Sequence, residues 1–454
     1  MDWTRTLTAR QRFILIILGV VLIAAIAFMA WTIVRTMRAL PQVSPLPTPT
    51  LGPPTSTPTP APPTLTLTPS PTPRFETSEA GTIAREVTDA RGLVPRWETP
   101  LSLVDLYDMS VALYRRYEEA PPFPLSERGL LEALDLWPET EAQSDPVAQS
   151  EDVAALYFPE EGQLYLRRDW SGSSEVVRRQ VAYGYARALP EQYGDLQRLR
   201  AESSLDQRLA LEALARGDAL ISLWLYAGVE PGTPAAEDLL DTVATATLPR
   251  WRDENPLLEE LARLPLDLGV EFASGLYATG GLPALDEAVL RPPRATSQIL
   301  HPPLYIEGRT FTALDPIEAP LDNTWQLTVT QTVGEALMDL ALVQWSGDTL
   351  TTTVMGWNGD LLQVWEGPED SQVILWQTAW QRRQQAEIFA REMVELLPER
   401  VRWIREEPLP EDLPMGLWWE GRLGAAFLRR YVDRVWLVWG DDVDAVRTVA
   451  AEIP

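Results

Sequence analysis

The sequence predicts an α+β fold behind a single N-terminal transmembrane helix and a Pro/Thr-rich stalk. Three observations predict it. Phe13 to Val34 (FILIILGVVLIAAIAFMAWTIV) is an apolar run without a charge. A tract dense in proline and threonine follows it. Apolar periodicity then returns from about residue 78, helical at first and interleaved with Trp-rich strands from about residue 311.

At a rise of 1.5 Å per residue the apolar run spans about 33 Å, which matches a hydrocarbon core of roughly 30 Å. Trp31 sits near its end, where an indole prefers the membrane interface. A cleaved signal peptide has a shorter apolar region, about 7–15 residues, before a small-residue cleavage site. Arg5, Arg10 and Arg12 precede the run, and Arg35 and Arg38 follow it, a bias toward a cytoplasmic tail at 1–12. The partner expected for residues 13–34 is therefore a membrane. The tract at 35–77 includes PLPTPTLGPPTSTPTPAPPTLTLTPSPTPR and cannot bury a core. Extended at about 3.1 Å per residue, it reaches on the order of 100 Å. The expected location is the cell membrane, single-pass, with the C-terminal part at the cell surface; an intracellular linker is the alternative.

The 454 residues, 45% hydrophobic and 23% charged, suffice for two or three domains. A net charge of -27 argues against nucleic acid, whose binding needs clustered basic residues. There is no Cys, so no disulfide, thiol nucleophile or Cys-ligated metal. All 38 basic residues are Arg, which removes the Schiff-base amine and the phosphate-loop lysine. One histidine, His301, leaves no two-histidine metal site within one chain. Carboxylate chemistry, serine or threonine with an unusual base, or no catalysis remain.

Along the first part, 78–310, the spacing predicts a helix over Leu101 to Glu119, with Leu103, Leu106, Tyr107 and Val111 near one face. Ser126 caps a second helix. Ala154 to Arg168 (AALYFPEEGQLYLRR) reads as a hairpin about PEEG. Helices follow over Ser174 to Leu189 and Leu205 to Tyr226, with shorter ones to about Val289 and an irregular stretch over 290–320. In the second part, 311–454, Val333 to Trp345 and Arg382 to Leu397 read as helices. GDLLQVWEG and SQVILWQTAW read as paired strands, and RVWLVWG as a third, before a helix capped by Asp441 or Asp442.

The ALYFPEEGQLYL hairpin, the helix ending RALPEQYGDL, the helix with RLALEALARGDA, PPRATSQILHP and MGWNGDLLQVWEG occur in this order. Together they resemble a bacterial family of gluzincin-like zinc metallopeptidases, over most of 80–454. In that family the first helix carries a pattern like HEYTHALQDQ and the second AL-x-EGDA. The resemblance implies two imidazoles one helical turn apart on one zinc ion, a third ligand from the next helix, and a glutamate that takes a proton from zinc-bound water. Carried over residue by residue, the first histidine position is Tyr183, the base glutamate Gly184, the second histidine Arg187 and the ligand glutamate Arg216. Gly217, Asp218 and Ala219 match. Tyr can ligate a metal, glycine cannot act as a base, and two guanidiniums repel a dication by roughly 4 kcal/mol per unit-charge pair at about 4 Å.

The resemblance therefore implies a mainly helical metallopeptidase-like domain, then a Trp-rich α+β domain, with no catalytic residue, cofactor or metal. It further suggests that Arg187 and Arg216 replace the lost cation and pair with Asp218, Glu191 or Asp195; solvated arginines are the alternative. The expected role is non-catalytic binding or scaffolding of an envelope protein or peptide by such a pseudoenzyme. A glycan binder or carboxylate-dependent glycosidase using the 18 Trp residues is the alternative, and a ligand-free spacer the third. Core packing is the plainer reading of the Trp residues, a structural hydrogen bond that of His301, and helix capping that of Asp441, Asp442 and Asp444.

Overall fold

No helix among the described residues is long and apolar enough to cross a membrane. The fold class is corrected accordingly: the described residues form a mixed fold of helices and strands, and they do not support the single transmembrane helix. Even the longest described helix, Pro256–Leu290, is too charged to span a bilayer, since its 35 residues carry Glu259, Glu260, Arg263, Asp267, Glu271, Asp286 and Glu287. The computed structural model describes residues 77–119, 125–138, 143–253, 255–347, 351–406 and 408–454. The tail at 1–12, the apolar run at 13–34 and the stalk up to residue 76 lie outside them.

The first helix, α1 (Thr77–Arg91), buries Ala80, Ile83 and Val87 at helical spacing. Strand β1 (Leu101–Val104) follows, then α2 (Leu106–Tyr114), which continues as a π turn through Arg115–Glu119. The expected helix from Leu101 thus begins five residues late. Asp105 caps α2 by accepting a hydrogen bond from the Asp108 N–H, and Leu101–Val104 pair in parallel with a strand some 60 residues on, Leu101 opposite Leu164. Then come α3 (Leu125–Ala133) and α4 (Pro146–Asp152), the latter capped by Asp145. The hairpin of β2 (Ala155–Phe158) and β3 (Gln163–Arg167) falls where its pattern places it and completes a three-stranded sheet of order β1-β3-β2.

Two long helices follow. Ser173 caps α5 (Ser174–Gly194), and Ser204 caps α7 (Leu205–Ala227); a short α6 (Leu196–Glu202) lies between them. The left-handed backbone of Asp195, φ 50°, ends α5, and that of Gly228, φ 65°, ends α7. After α8 (Pro234–Thr247) the long helix α9 (Pro256–Leu290) kinks at Gly281. It crosses α7 in backbone contact: a Cβ on Gly217 would stand 2.0 Å from the Gly269 carbonyl oxygen. Two short helices, α10 (Thr296–Leu300) and α11 (Pro302–Ile306), occupy the stretch expected to be irregular.

The remaining elements are β4 (Gln326–Gln331), α12 (Glu335–Ser346), α13 (Thr351–Val354), β5 (Trp357–Glu366), β6 (Gln372–Trp380) and α14 (Arg383–Arg400). They continue with β7 (Trp403–Glu406), β8 (Leu417–Gly421), β9 (Gly424–Tyr431), β10 (Arg434–Gly440) and α15 (Val443–Ala451). The strands form one antiparallel sheet, order β4-β5-β6-β10-β9-β8-β7. Alternation buries both faces. Leu362, Trp376, Leu437 and Trp439 join Phe389 of α14 on one side; Trp365, Val373, Trp436 and Val438 join Val446 and Val449 of α15 on the other. The first of these clusters also takes in Leu130, Leu134, Leu209 and Leu258, so one core runs across residue 310. Trp357, Trp376 and Trp380 are among the largest fully buried side chains. These rings are core, not an exposed stacking platform.

Candidate functional site

Helices α5 and α7 pack side by side and bring three of the four positions singled out above to one small cavity. Tyr183, Arg187 and Arg216 line it with Glu212 and Arg116; its volume is about 20 Å³. Gly184 faces away from this chemistry, toward β3, where a Cβ would come within 2.5 Å of the Leu164 Cδ1. A glutamate cannot stand there without displacing a fully buried leucine.

The arginines are held by carboxylates, and the hub is Glu212. Arg187 Nη2 donates to Glu212 Oε2 at 2.6 Å and Arg216 Nε to Glu212 Oε1 at 2.7 Å. Arg187 Nη1 donates to Glu191 Oε1 at 2.5 Å, and Arg200 of α6 reaches the same oxygen at 2.7 Å. The side chains of Arg187 and Glu191 are 5% and 7% exposed. Sequence reasoning named Glu191 as a partner but missed Glu212 and Arg200. Glu212 lies one turn before Arg216, an i,i+4 signal that was available. Arg200 arrives around the turn after α5, which no periodicity announces. The other two expected partners are engaged elsewhere: Asp218 with Arg91 at 2.7 Å, and Asp195 with Arg198 at 2.6 Å.

The electrostatics follow from this wiring. Burial alone would raise the Glu212 carboxyl, but Arg187, Arg216 and Arg200 together hold it well below the usual carboxylate range. Burial likewise disfavours the Arg187 cation, yet Glu212 and Glu191 outweigh it and raise the guanidinium further. Burial pushes the Tyr183 phenol up, so it stays protonated. These residues do not fit a zinc ion: the phenol is neutral, and the positions of the second histidine and the ligand glutamate carry fixed positive charge. Among the described residues no group of three or more His, Cys, Asp or Glu side chains is arranged to hold a metal.

A second polar cluster lies between α7, α10 and the start of α12. Asp206 Oδ1 accepts from the Thr296 backbone N–H at 3.0 Å and from the Thr296 hydroxyl, which itself accepts from the Ala336 N–H. Asp360 accepts from the N–H groups of Val333 and Gly334 and from Trp376 Nε1 at 3.0 Å. Both carboxyls meet Gly334, φ 84°, where a Cβ would stand 1.9 Å from Asp206 Oδ1. Burial pushes each up to about 7, and Asp360 and Glu335 add to the rise at Asp206. His301 stands at the edge of this region, its Nε2 at 2.7 Å from Glu335 Oε1. Asp442 caps α15 through the Ala445 N–H, and Asp441 accepts from the Gln372 N–H.

The model of a domain of unknown function (DUF8575) matches residues 325–450, which run from the edge of β4 into α15. No curated protein and no solved structure matches the chain. The match leaves out α5 and α7, and no relative ties them to zinc peptidases. The descriptions metallopeptidase-like and pseudoenzyme are accordingly withdrawn.

Proposed function

We propose that this chain acts by non-catalytic binding of a protein or peptide. One observation carries the reading. In the charged cleft between α5, α6 and α7, Glu191 and Glu212 are both bound by arginines. Glu212 is held ionised far below the range in which a general base or acid works near neutral pH. The cluster therefore offers fixed hydrogen-bond donors, and its central carboxylate is unsuited to carry a proton. Such donors recognise acceptor groups of a polar partner. The test is turnover by the full-length chain of pooled peptide substrates, followed by equilibrium binding of the same peptides. Binding without cleavage is expected; cleavage that disappears in Glu212→Gln would overturn the reading.

A second reading has its own observation. Asp206 and Asp360 border a cavity of about 260 Å³, and each titrates near 7, where a carboxyl can exchange protons. A carboxylate-dependent glycosidase would lose all turnover of a glycan substrate in Asp206→Asn and in Asp360→Asn. The bonds both make to backbone N–H groups favour an anchoring role instead.

A further inference from the structure

Beside the small cavity at Tyr183 lies a larger one, about 150 Å³, between the π turn after α2, α6, α7 and α9. Its wall holds Arg116, Arg200, Arg208 and Arg216 against two carboxylates, Glu160 and Glu212. Arg208 is paired with Glu127 and Glu212 is the shared hub described above. Arg116 has no ion pair among the described residues; its Nη1 donates to the Tyr157 carbonyl, and its guanidinium stacks 5.2 Å from the Phe158 ring. Two further donors are buried without an acceptor, Arg200 Nη1 and Arg216 Nη1. The first lies 3.7 Å from Glu212 Oε2, beyond hydrogen-bond reach. Glu191 Oε2 is also buried and unpartnered, but Glu191 is not in this wall. A buried donor without an acceptor is costly, so a site that keeps two of them beside an arginine held by aromatic and carbonyl contacts is organised for an incoming acceptor. Guanidiniums recognise oxyanions through paired N–H donors. That this converges in a chain of net charge -27 sets the cavity apart from the surface around it.

We propose that this cavity is an oxyanion receptor, in which Arg116, Arg200 and Arg216 hold the oxygens of one carboxylate or phosphate group. Assigning the terminal carboxylate of a peptide as its occupant rests on the binding function proposed above; a free small anion is the other source of the same chemistry. Glu160 at the rim limits the charge a ligand can bring. Arg216→Gln removes one free donor but also loosens Glu212, so Arg116→Gln, which breaks no ion pair among the described residues, is the cleaner variant.

The full-length chain is titrated calorimetrically with inorganic phosphate, with acetate, and with a peptide pool synthesised twice, once with free C-terminal carboxylates and once with C-terminal amides. One anion per chain is expected, with acids preferred over amides, and at least a tenfold loss in Arg116→Gln while its melting temperature stays that of the unaltered protein. No binding of either small anion at tens of millimolar overturns the proposal, as does binding equal to the parent in both Arg116→Gln and Arg216→Gln. Amides that bind as well as acids, with no small-anion binding, would leave the peptide-binding function standing and remove the receptor. Anions that bind through Arg116 while no peptide binds would do the reverse.

Discussion

Two buried charged regions sit in the first half of α7, at Asp206 and at Glu212, and they solve the same desolvation problem in opposite ways. Around Glu212 three guanidiniums keep a buried carboxylate ionised. Asp206 and Asp360 have no ion pair among the described residues; backbone N–H groups, a threonine hydroxyl and an indole do the work, and burial wins, leaving both carboxyls near 7. A full charge nearby holds ionisation against burial, whereas hydrogen-bond dipoles alone do not. The first region is thus a cluster of groups that stay charged although buried. The second is a knot that ties the start of α12 and β5 to α7 and loosens as its carboxyls ionise.

The largest expected effect breaks the first region. Glu212→Ala leaves Arg187 with Glu191 alone and Arg216 without an ion pair among the described residues. Removing one partner of a buried network costs about 3–5 kcal/mol, because the remaining charges stay desolvated. Urea denaturation of Glu212→Ala against the parent measures this. A loss under about 1 kcal/mol would show that these arginines reach water and that the wiring is not what holds α5 to α7. Arg216→Glu sharpens the point: it sets two carboxylates one turn apart and is expected to destabilise, whereas unchanged or raised stability would refute the pairing.

The second region predicts the opposite pH dependence. A carboxyl raised in the folded state contributes stability that is present in full below its unfolded value, near 3.8, and is lost as pH climbs through about 7. Glu212, lowered in the folded state, contributes stability present above 4.5 and lost as pH falls through its depressed value. Acid therefore undoes one cluster and neutral pH strains the other. Comparing the parent with the double variant Asp206→Asn, Asp360→Asn at pH 5 and pH 8 removes the general charge repulsion common to both. The parent is expected to lose on the order of 5 kcal/mol more than the variant between these pH values, since both carboxyls contribute. Equal slopes would mean that the two carboxyls are already ionised at pH 5.

Much of this contrast was legible along the chain, because it is local. The i,i+4 spacings Arg187 to Glu191 and Glu212 to Arg216 lie within single helices. The Ser caps of α5 and α7 and the strand alternation around Trp365 and Trp376 do too. What was not legible joins distant positions. Arg91 reaches Asp218 across 127 residues, Asp206 reaches Thr296 across 90, and the parallel partner that turns Leu101–Val104 into a strand is β3. Gly217 matched a motif by letter, but its physical need, a helix crossing with no room for a Cβ, appears only with Gly269 against it. The carboxyl pair could not be named from the sequence, since neither Asp206 nor Asp360 has a charged neighbour in the chain pattern that marks it.

The smallest effect tests where the second region ends. His301 is 35% exposed, and its hydrogen bond to the buried Glu335 raises the imidazole above its ordinary value, against the pull of burial. The bond contributes stability that is full below pH 6.5 and fades as pH rises through the raised value. His301→Gln removes that shallow change, read as the difference in melting temperature between pH 6 and pH 8. Because Glu335 also raises Asp206, the same variant leaves Glu335 without its one histidine partner and should deepen the loss at Asp206 as pH climbs. If His301→Gln and the double asparagine variant give additive pH slopes, the histidine and the knot are independent. If the slopes fail to add, Glu335 couples them, and the charge region extends from α7 through α12 to the end of α10.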